Sequence, residues 1–291
     1  MSDHFFMAAQ RWLFRNDVAS VVLTCHGGQE AALGTKRRAA LETPACLRDL
    51  PVHRLVDLWL SGVRDVVATP GTCCRTDELA LVVDGWRATL GELLSFTVID
   101  AAPVRSWSWS LSPTRVPLDR RGLLGLRQGE QPWPTHAVDA DGHARLLTSL
   151  RAAGVTSLPE PPPGVVLLAS GCTACGVCVA ACPHDALSLA VVGADTSLNH
   201  APDVCRGEQQ CVALCPVDAL TVAGALPWAA VLGAEPQVLA SVRTSVCTRC
   251  QAQFPADSGS AWCEPCRIRR SDPFGSHLPA AAIELLRSRG A

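Results

Sequence analysis

Apolar positions in the first hundred residues alternate between two periods. Val18–Thr24 is a short, nearly unbroken apolar run, which predicts a strand buried on both faces. Val52, Leu55, Val56, Trp59 and Leu60 recur at i, i+3, i+4, i+7 and i+8, one face of an amphipathic helix. Val63–Ala68 reads as another strand, ended by Pro70-Gly71. Thr76–Leu94 reads as a helix despite Gly85 and Gly91, and Ser95–Ile99 returns to strand. Strand–helix alternation of this kind predicts an α/β domain with a parallel sheet, here over residues 1–156.

The pattern then changes. Residues 101–136 are rich in Pro, Arg, Ser and Trp with weak periodicity, suited to wrapping a neighbour or covering a sheet edge. Asp141–Ala153 predicts a helix stopped by Gly154. Residues 157–164 carry three consecutive prolines, which stiffen an extended linker. A cysteine-rich module occupies 165–224. Residues 225–291 hold a helical segment, a paired-cysteine module from 247 to 266, and a terminal helix near Pro279–Arg289.

Composition narrows the class. The chain has 291 residues, 48% hydrophobic, with a formal net charge of −2, so bulk electrostatics favour neither nucleic acid nor a membrane surface. The apolar stretch Thr221–Ala240 is broken by Pro227, Glu235 and Pro236, and no membrane span is expected. Fifteen cysteines are an odd count, and most fall in metal-ligand spacings rather than a disulfide framework. With no secretory pattern at Met1–Gln10, a reducing cytoplasm is the expected compartment.

Residues 172–183 read C-x₂-C-x₂-C-x₃-C-P, an iron–sulfur ligand run. Cys182-Pro-His-Asp-Ala-Leu187 returns as Cys215-Pro-Val-Asp-Ala-Leu220 at an offset of 33 residues. The same offset carries Cys172 to Cys205, Cys178 to Cys211 and Cys175 to Glu208. The segment 165–224 resembles the two-cluster bacterial ferredoxins, in which the fourth cysteine of each run ligates the other cluster. The resemblance implies an α+β ferredoxin-like module. It also implies one 4Fe–4S cluster on Cys172, Cys175, Cys178 and Cys215, and a second on Cys182, Cys205 and Cys211 with Glu208 in the fourth place.

Glu208 leaves three readings open: a 3Fe–4S cluster on three thiolates, a 4Fe–4S cluster with carboxylate or solvent on one iron, or an empty site. Zinc bound by the same cysteines is the competing reading for the whole nest. His184 and Asp185 read as turn or helix-start residues and not as ligands.

The N-terminal cysteines are less local. Cys25 ends the first strand, Cys46 precedes the Val52 helix, and Cys73 and Cys74 follow the Val63 strand. In a parallel sheet, Cys25 and Cys73/Cys74 share the carboxyl rim where open α/β sheets bind ligands. Four thiolates there can hold a 2Fe–2S or other cluster. The bland alternative is small buried hydrophobes. Cys25-His26-Gly27-Gly28 supplies neither a third catalytic partner nor a G-x-G-x-x-G fingerprint.

These cysteines, with Gly62–Cys74, resemble the delta-type iron–sulfur subunit of methyl-viologen-reducing hydrogenases, over about 80 residues. That family relays electrons to heterodisulfide reductase. The chain departs from the pattern by lacking a close cysteine pair at Cys25.

Cys247-x₂-Cys250 and Cys263-x₂-Cys266, twelve residues apart, form a zinc-ribbon-like S₄ set, with rubredoxin-type iron as the alternative. Phe254 and Trp262 are expected to pack between the loops, beside Arg267, Arg269 and Arg270. Together these features predict an electron-transfer subunit docked to larger catalytic oxidoreductase subunits of hydrogenase, formate dehydrogenase or heterodisulfide-reductase type. A redox sensor that binds nucleic acid through the ribbon is the alternative of a different class. An N-terminal active site is a third.

Overall fold

Val21, Val22 and Leu23 are wholly buried in strand β1 (Ser20–Thr24), as an apolar run without polar alternation requires. The computed structural model describes residues 3–25, 38–100, 109–114, 116, 133–137, 140–256 and 259–271. These fall into two units. The first runs through Pro163 and adds Ala225–Glu235; the second is Gly164–Gly224 with the described residues from Pro236 onward.

In the first unit, β1 lies at the centre of a five-stranded sheet with β2 (Arg38–Glu42), β3 (Asp65–Thr69), β4 (Ser95–Val98) and β5 (Trp109–Leu111). The order is β4-β3-β1-β2-β5, and every pairing is parallel. Helices α1 (Asp3–Arg15), α2 (Val52–Leu60), α3 (Thr76–Leu90) and α4 (Gly142–Ala152) accompany it. The parallel sheet expected for the N-terminal region is therefore present.

Helix α3 buries Leu79, Val83, Trp86 and Leu90 at helical spacing. It stops at Gly91, whose φ of +58° suits glycine and where an added Cβ would meet Pro159 at 2.8 Å. The Pro-rich segment thus packs closely on the first unit instead of standing clear as a spacer. Thr89 Oγ1 donates to Glu160 at 2.9 Å, and Trp228 Nε1 donates to the Glu160 carbonyl at 2.8 Å. Trp228 opens helix α7 (Trp228–Gly233), whose carbonyls at Val231 and Leu232 accept from the Arg151 guanidinium. These contacts place 225–235 with the first unit, whereas the sequence grouped it with the C-terminal module.

Helix α2 buries more than its apolar stripe. It packs between α4 and α1, so His53, Arg54 and Asp57 are enclosed along with Leu55, Val56 and Leu58, while Val52, Trp59 and Leu60 are only half-buried. Asp57 accepts from Ser149 Oγ at 2.6 Å and lies 3.6 Å from Arg54 Nη1 and from His136 Nε2. Burial, then the neighbouring Arg54 charge, hold the His53 imidazole down to about 4.

The second unit begins with β6 (Val165–Ala169), α5 (Val177–Ala181), the hairpin β7 (Leu187–Val192)–β8 (Asp195–His200), α6 (Gln210–Ala213) and β9 (Leu220–Ala225). β6 pairs with β9 in a two-stranded sheet. β10 (Gln237–Val246), β11 (Gln253–Pro255) and α8 (Glu264–Ser271) follow. β10 runs antiparallel to both β8 and β11, giving a sheet of order β11-β10-β8-β7. The residues read as a terminal helix near 279–289 lie outside the described residues, as do His26, Gly27 and Gly28. Among the described residues no helix is long and apolar enough to cross a membrane.

Candidate iron–sulfur and metal centres

The 33-residue repeat is written into the backbone. α5 and α6 begin at equivalent positions, 177 and 210. Positive φ recurs at Ala174 and Gly207, at Gly176 and Gln209, and at Asp185 and Asp218. Gly176, at φ +80°, turns the ligand loop into α5 where a β-carbon would be strained. Each Cys-Pro turn folds back so that a backbone N–H meets the sulfur four residues earlier. Ala186 N donates to Cys182 Sγ at 3.3 Å, and Ala219 N to Cys215 Sγ at 3.2 Å.

One pocket of this unit is lined by Cys172, Cys175, Cys178 and Cys215, with Gly176, Leu189, Leu198 and Leu220 among its walls. Three thiols from the first run and one from the second therefore face a common apolar space. Burial pushes the Cys178 thiol up to about 11, with Cys172 and Cys175 adding like charge. Cys211 is also raised, mainly by burial, with Cys182 and Cys205 adding like charge. Thiols so placed ionise readily only when a cation compensates them, which fits a metal centre.

Glu208 stands at the surface. Its Oε1 lies 2.9 Å from His184 Nε2, an interaction the repeat does not signal because neither residue has a histidine–carboxylate counterpart 33 positions away.

Two further sets of four sulfurs each converge within 4.8 Å: Cys25, Cys46, Cys73 and Cys74, and Cys247, Cys250, Cys263 and Cys266. In the first set, Cys25 Sγ is 3.5 Å from Cys74 Sγ and 3.9 Å from Cys46 Sγ. Burial and hydrogen bonding with Cys25 push Cys74 up to about 11, and Cys73 also rises. Cys46 goes the other way, to about 7, because hydrogen bonds from Arg48 and from Cys73 and Cys25 outweigh burial. Arg48 is a neighbour that spacing alone does not single out.

In the C-terminal set, Cys250 and Cys263 sulfurs lie 3.5 Å apart. Burial opposes ionisation of Cys247, but backbone N–H groups of Cys263, Cys250 and Arg249 bring it down to about 6, while burial and its sister thiols push Cys266 up to about 12. Phe254 and Trp262 pack with Cys247, Cys263 and Cys266, as expected. The Arg270 guanidinium sits 4.6 Å over the Trp262 ring. All fifteen cysteines are free of disulfides.

A repeated thiolate nest with backbone N–H donors to sulfur defines a ferredoxin-like iron–sulfur module. Residues 171–219 match the family described as 4Fe-4S dicluster domain. No curated protein matches the chain. The matched domain supports an electron-transfer role.

Proposed function

We propose that the chain is an iron–sulfur electron-transfer subunit of an oxidoreductase complex, with substrate chemistry supplied by a larger partner subunit of hydrogenase, formate dehydrogenase or heterodisulfide-reductase type. The observation that carries the reading is the pocket where Cys172, Cys175 and Cys178 meet Cys215 from the other half of the repeat. In this reading those four residues hold a 4Fe–4S cluster, and Cys182, Cys205 and Cys211 hold the second. Clusters bound there accept and release one electron at a time.

The protein's own groups set the terms of that exchange. The Ala186 and Ala219 amides point N–H groups at Cys182 and Cys215 sulfur, which favours the more negative, reduced state. Leu189, Leu198 and Leu220 border the first pocket and limit water there. At the second site the fourth ligand position belongs to Glu208, whose carboxylate is engaged by His184 at 2.9 Å. That engagement favours three thiolates and a 3Fe–4S cluster.

Anaerobic purification followed by iron and sulfide counts, electron paramagnetic resonance before and after reduction, and mass spectrometry of copurifying chains tests the proposal. The expected result is two cluster signals and a copurifying oxidoreductase. Colourless protein after anaerobic reconstitution with iron and sulfide, or these cysteines found on zinc, would overturn it.

A further inference from the structure

Cys25 directly follows β1, Cys46 opens the 3₁₀ turn Leu47–Asp49 after β2, and Cys73 and Cys74 lie between β3 and α3. The strand order turns around at β1, with β2 on one side and β3 on the other. The four thiols therefore gather at the carboxyl ends of the central strands, at the switch point where open α/β sheets leave a crevice.

Their spacing discriminates between two kinds of occupant. A tetrahedral ion with metal–sulfur bonds of about 2.3 Å sets its sulfurs about 3.8 Å apart. Cys25 meets that spacing with both Cys46, at 3.9 Å, and Cys74, at 3.5 Å, and all four sulfurs lie within 4.8 Å of one another. The C-terminal sulfurs also all lie within 4.8 Å of one another, with Cys250 and Cys263 at 3.5 Å. A 2Fe–2S cluster places two thiolates on each iron, at opposite ends of an iron–sulfide rhomb. The two pairs are then driven outward and apart, and the cross-pair spacing exceeds that of one tetrahedron.

The surroundings match a compact dianionic centre. Four thiolates around a divalent ion leave a charge of two minus. The backbone N–H of Leu47 donates to Cys25 Sγ at 3.3 Å. Arg48 stands beside Cys46, its Nη2 reaches the Cys73 carbonyl at 3.5 Å, and its Nη1 pairs with Glu78 at 3.5 Å. Cys25 and Cys74 are buried while Cys73 is exposed, so one ligand edge faces solvent.

We propose that Cys25, Cys46, Cys73 and Cys74 bind a single tetrahedral divalent ion, zinc or ferrous iron, and not a two-iron cluster. A closed four-sulfur shell has no open position for substrate. The ion ties together the loops that leave β1, β2 and β3, with Arg48 positioned as counter-charge.

The full chain, purified without oxygen, provides the test through metal and inorganic-sulfide analysis and native mass spectrometry of the wild type and of Cys46→Ala. The variant is expected to lose one metal ion per chain and no sulfide, keeping the visible absorption of the ferredoxin-like module. The identity of the lost metal separates zinc from iron. Loss of two irons with two sulfides, or an unchanged metal count, would overturn the assignment. If Cys46→Ala does not accumulate, Cys73→Ser changes the exposed ligand and is read in the same way. The wild type gives a check that needs no variant: more inorganic sulfide than two cubes contain would also overturn it.

Discussion

His184 Nε2 lies 2.9 Å from Glu208 Oε1, so the residue two positions after Cys182 holds the carboxylate that replaces Cys175 in the second half of the repeat. The pair stands at the surface and bridges the two halves. Glu208→Cys restores a fourth thiolate at this position. The variant should gain one iron per chain and lose the oxidised-state resonance of a three-iron cluster. An unaltered resonance after the substitution would show that position 208 does not face the cluster.

Ser149 Oγ donates to the buried Asp57 carboxylate at 2.6 Å. Hydrogen bonds to charged groups contribute about 1.5–3 kcal/mol, and the acceptor here stays enclosed when the donor is removed. Ser149→Ala should therefore destabilise the first unit by about that amount, read from urea denaturation. A change within about 0.5 kcal/mol, typical of surface substitutions, would mean that water replaces the hydroxyl.

His53 gives the first unit a pH dependence. Burial and Arg54 hold its folded pKa near 4, against about 6.5 unfolded, and Asp57, His136 and Arg145 also face it. Above 6.5 the ring is neutral in both states and the stability is fully present. Below that the unfolded chain takes the proton first, so stability declines as pH falls from about 6.5 to about 4. Hydrogen exchange of peptides covering 52–60 should accelerate across this window, and His53→Leu should flatten the trend. Equal slopes in the two proteins would remove His53 as the cause.

The C-terminal sulfurs share a small core with Phe254 and Trp262, beside the short β10–β11 pairing and α8. A zinc ion held by these four sulfurs would contribute about 10–16 kcal/mol on binding, which is also folding energy. Prolonged treatment with a strong chelator, or Cys263→Ala, should abolish amide protection over 247–266. Retained protection after verified metal loss would make the hydrophobic contacts sufficient.

Much of the first unit is legible from period alone. The apolar run of β1 and the Leu79–Val83–Trp86–Leu90 spacing of α3 state their own burial. β2 escapes because Arg38-Ala-Ala-Leu-Glu42 has no β-branched or aromatic residue to mark a strand, and its pairing with β1 is a tertiary fact. β10 escapes although Gly233 and Pro236 mark a break just before it, because only one of its ten residues is fully buried and no apolar face stands out. α2 shows a limit of stripe reading: enclosure by two helices buries His53, Arg54 and Asp57, which a one-sided stripe assigns to solvent.

The cysteine sites divide along the same line. Ligands within one loop announce themselves by spacing. The four sulfurs at the sheet's rim, spread from 25 to 74, meet only because three strands run side by side. The link between His184 and Glu208 depends on how the two halves of the repeat face each other, and no spacing encodes it.

β10 is a ten-residue strand, bonded along β8 on one stretch, with a register shift between Val238 and Ala240, and to β11 on another. A hydrogen-bonded ribbon resists both stretching and shear. In the proposed electron-transfer complex, a partner that grips the knuckle would thus take hold of a stiff handle on the redox module. Electron hopping weakens steeply as the gap widens, so such a handle would keep the flow of charge steady while the docked assembly moves.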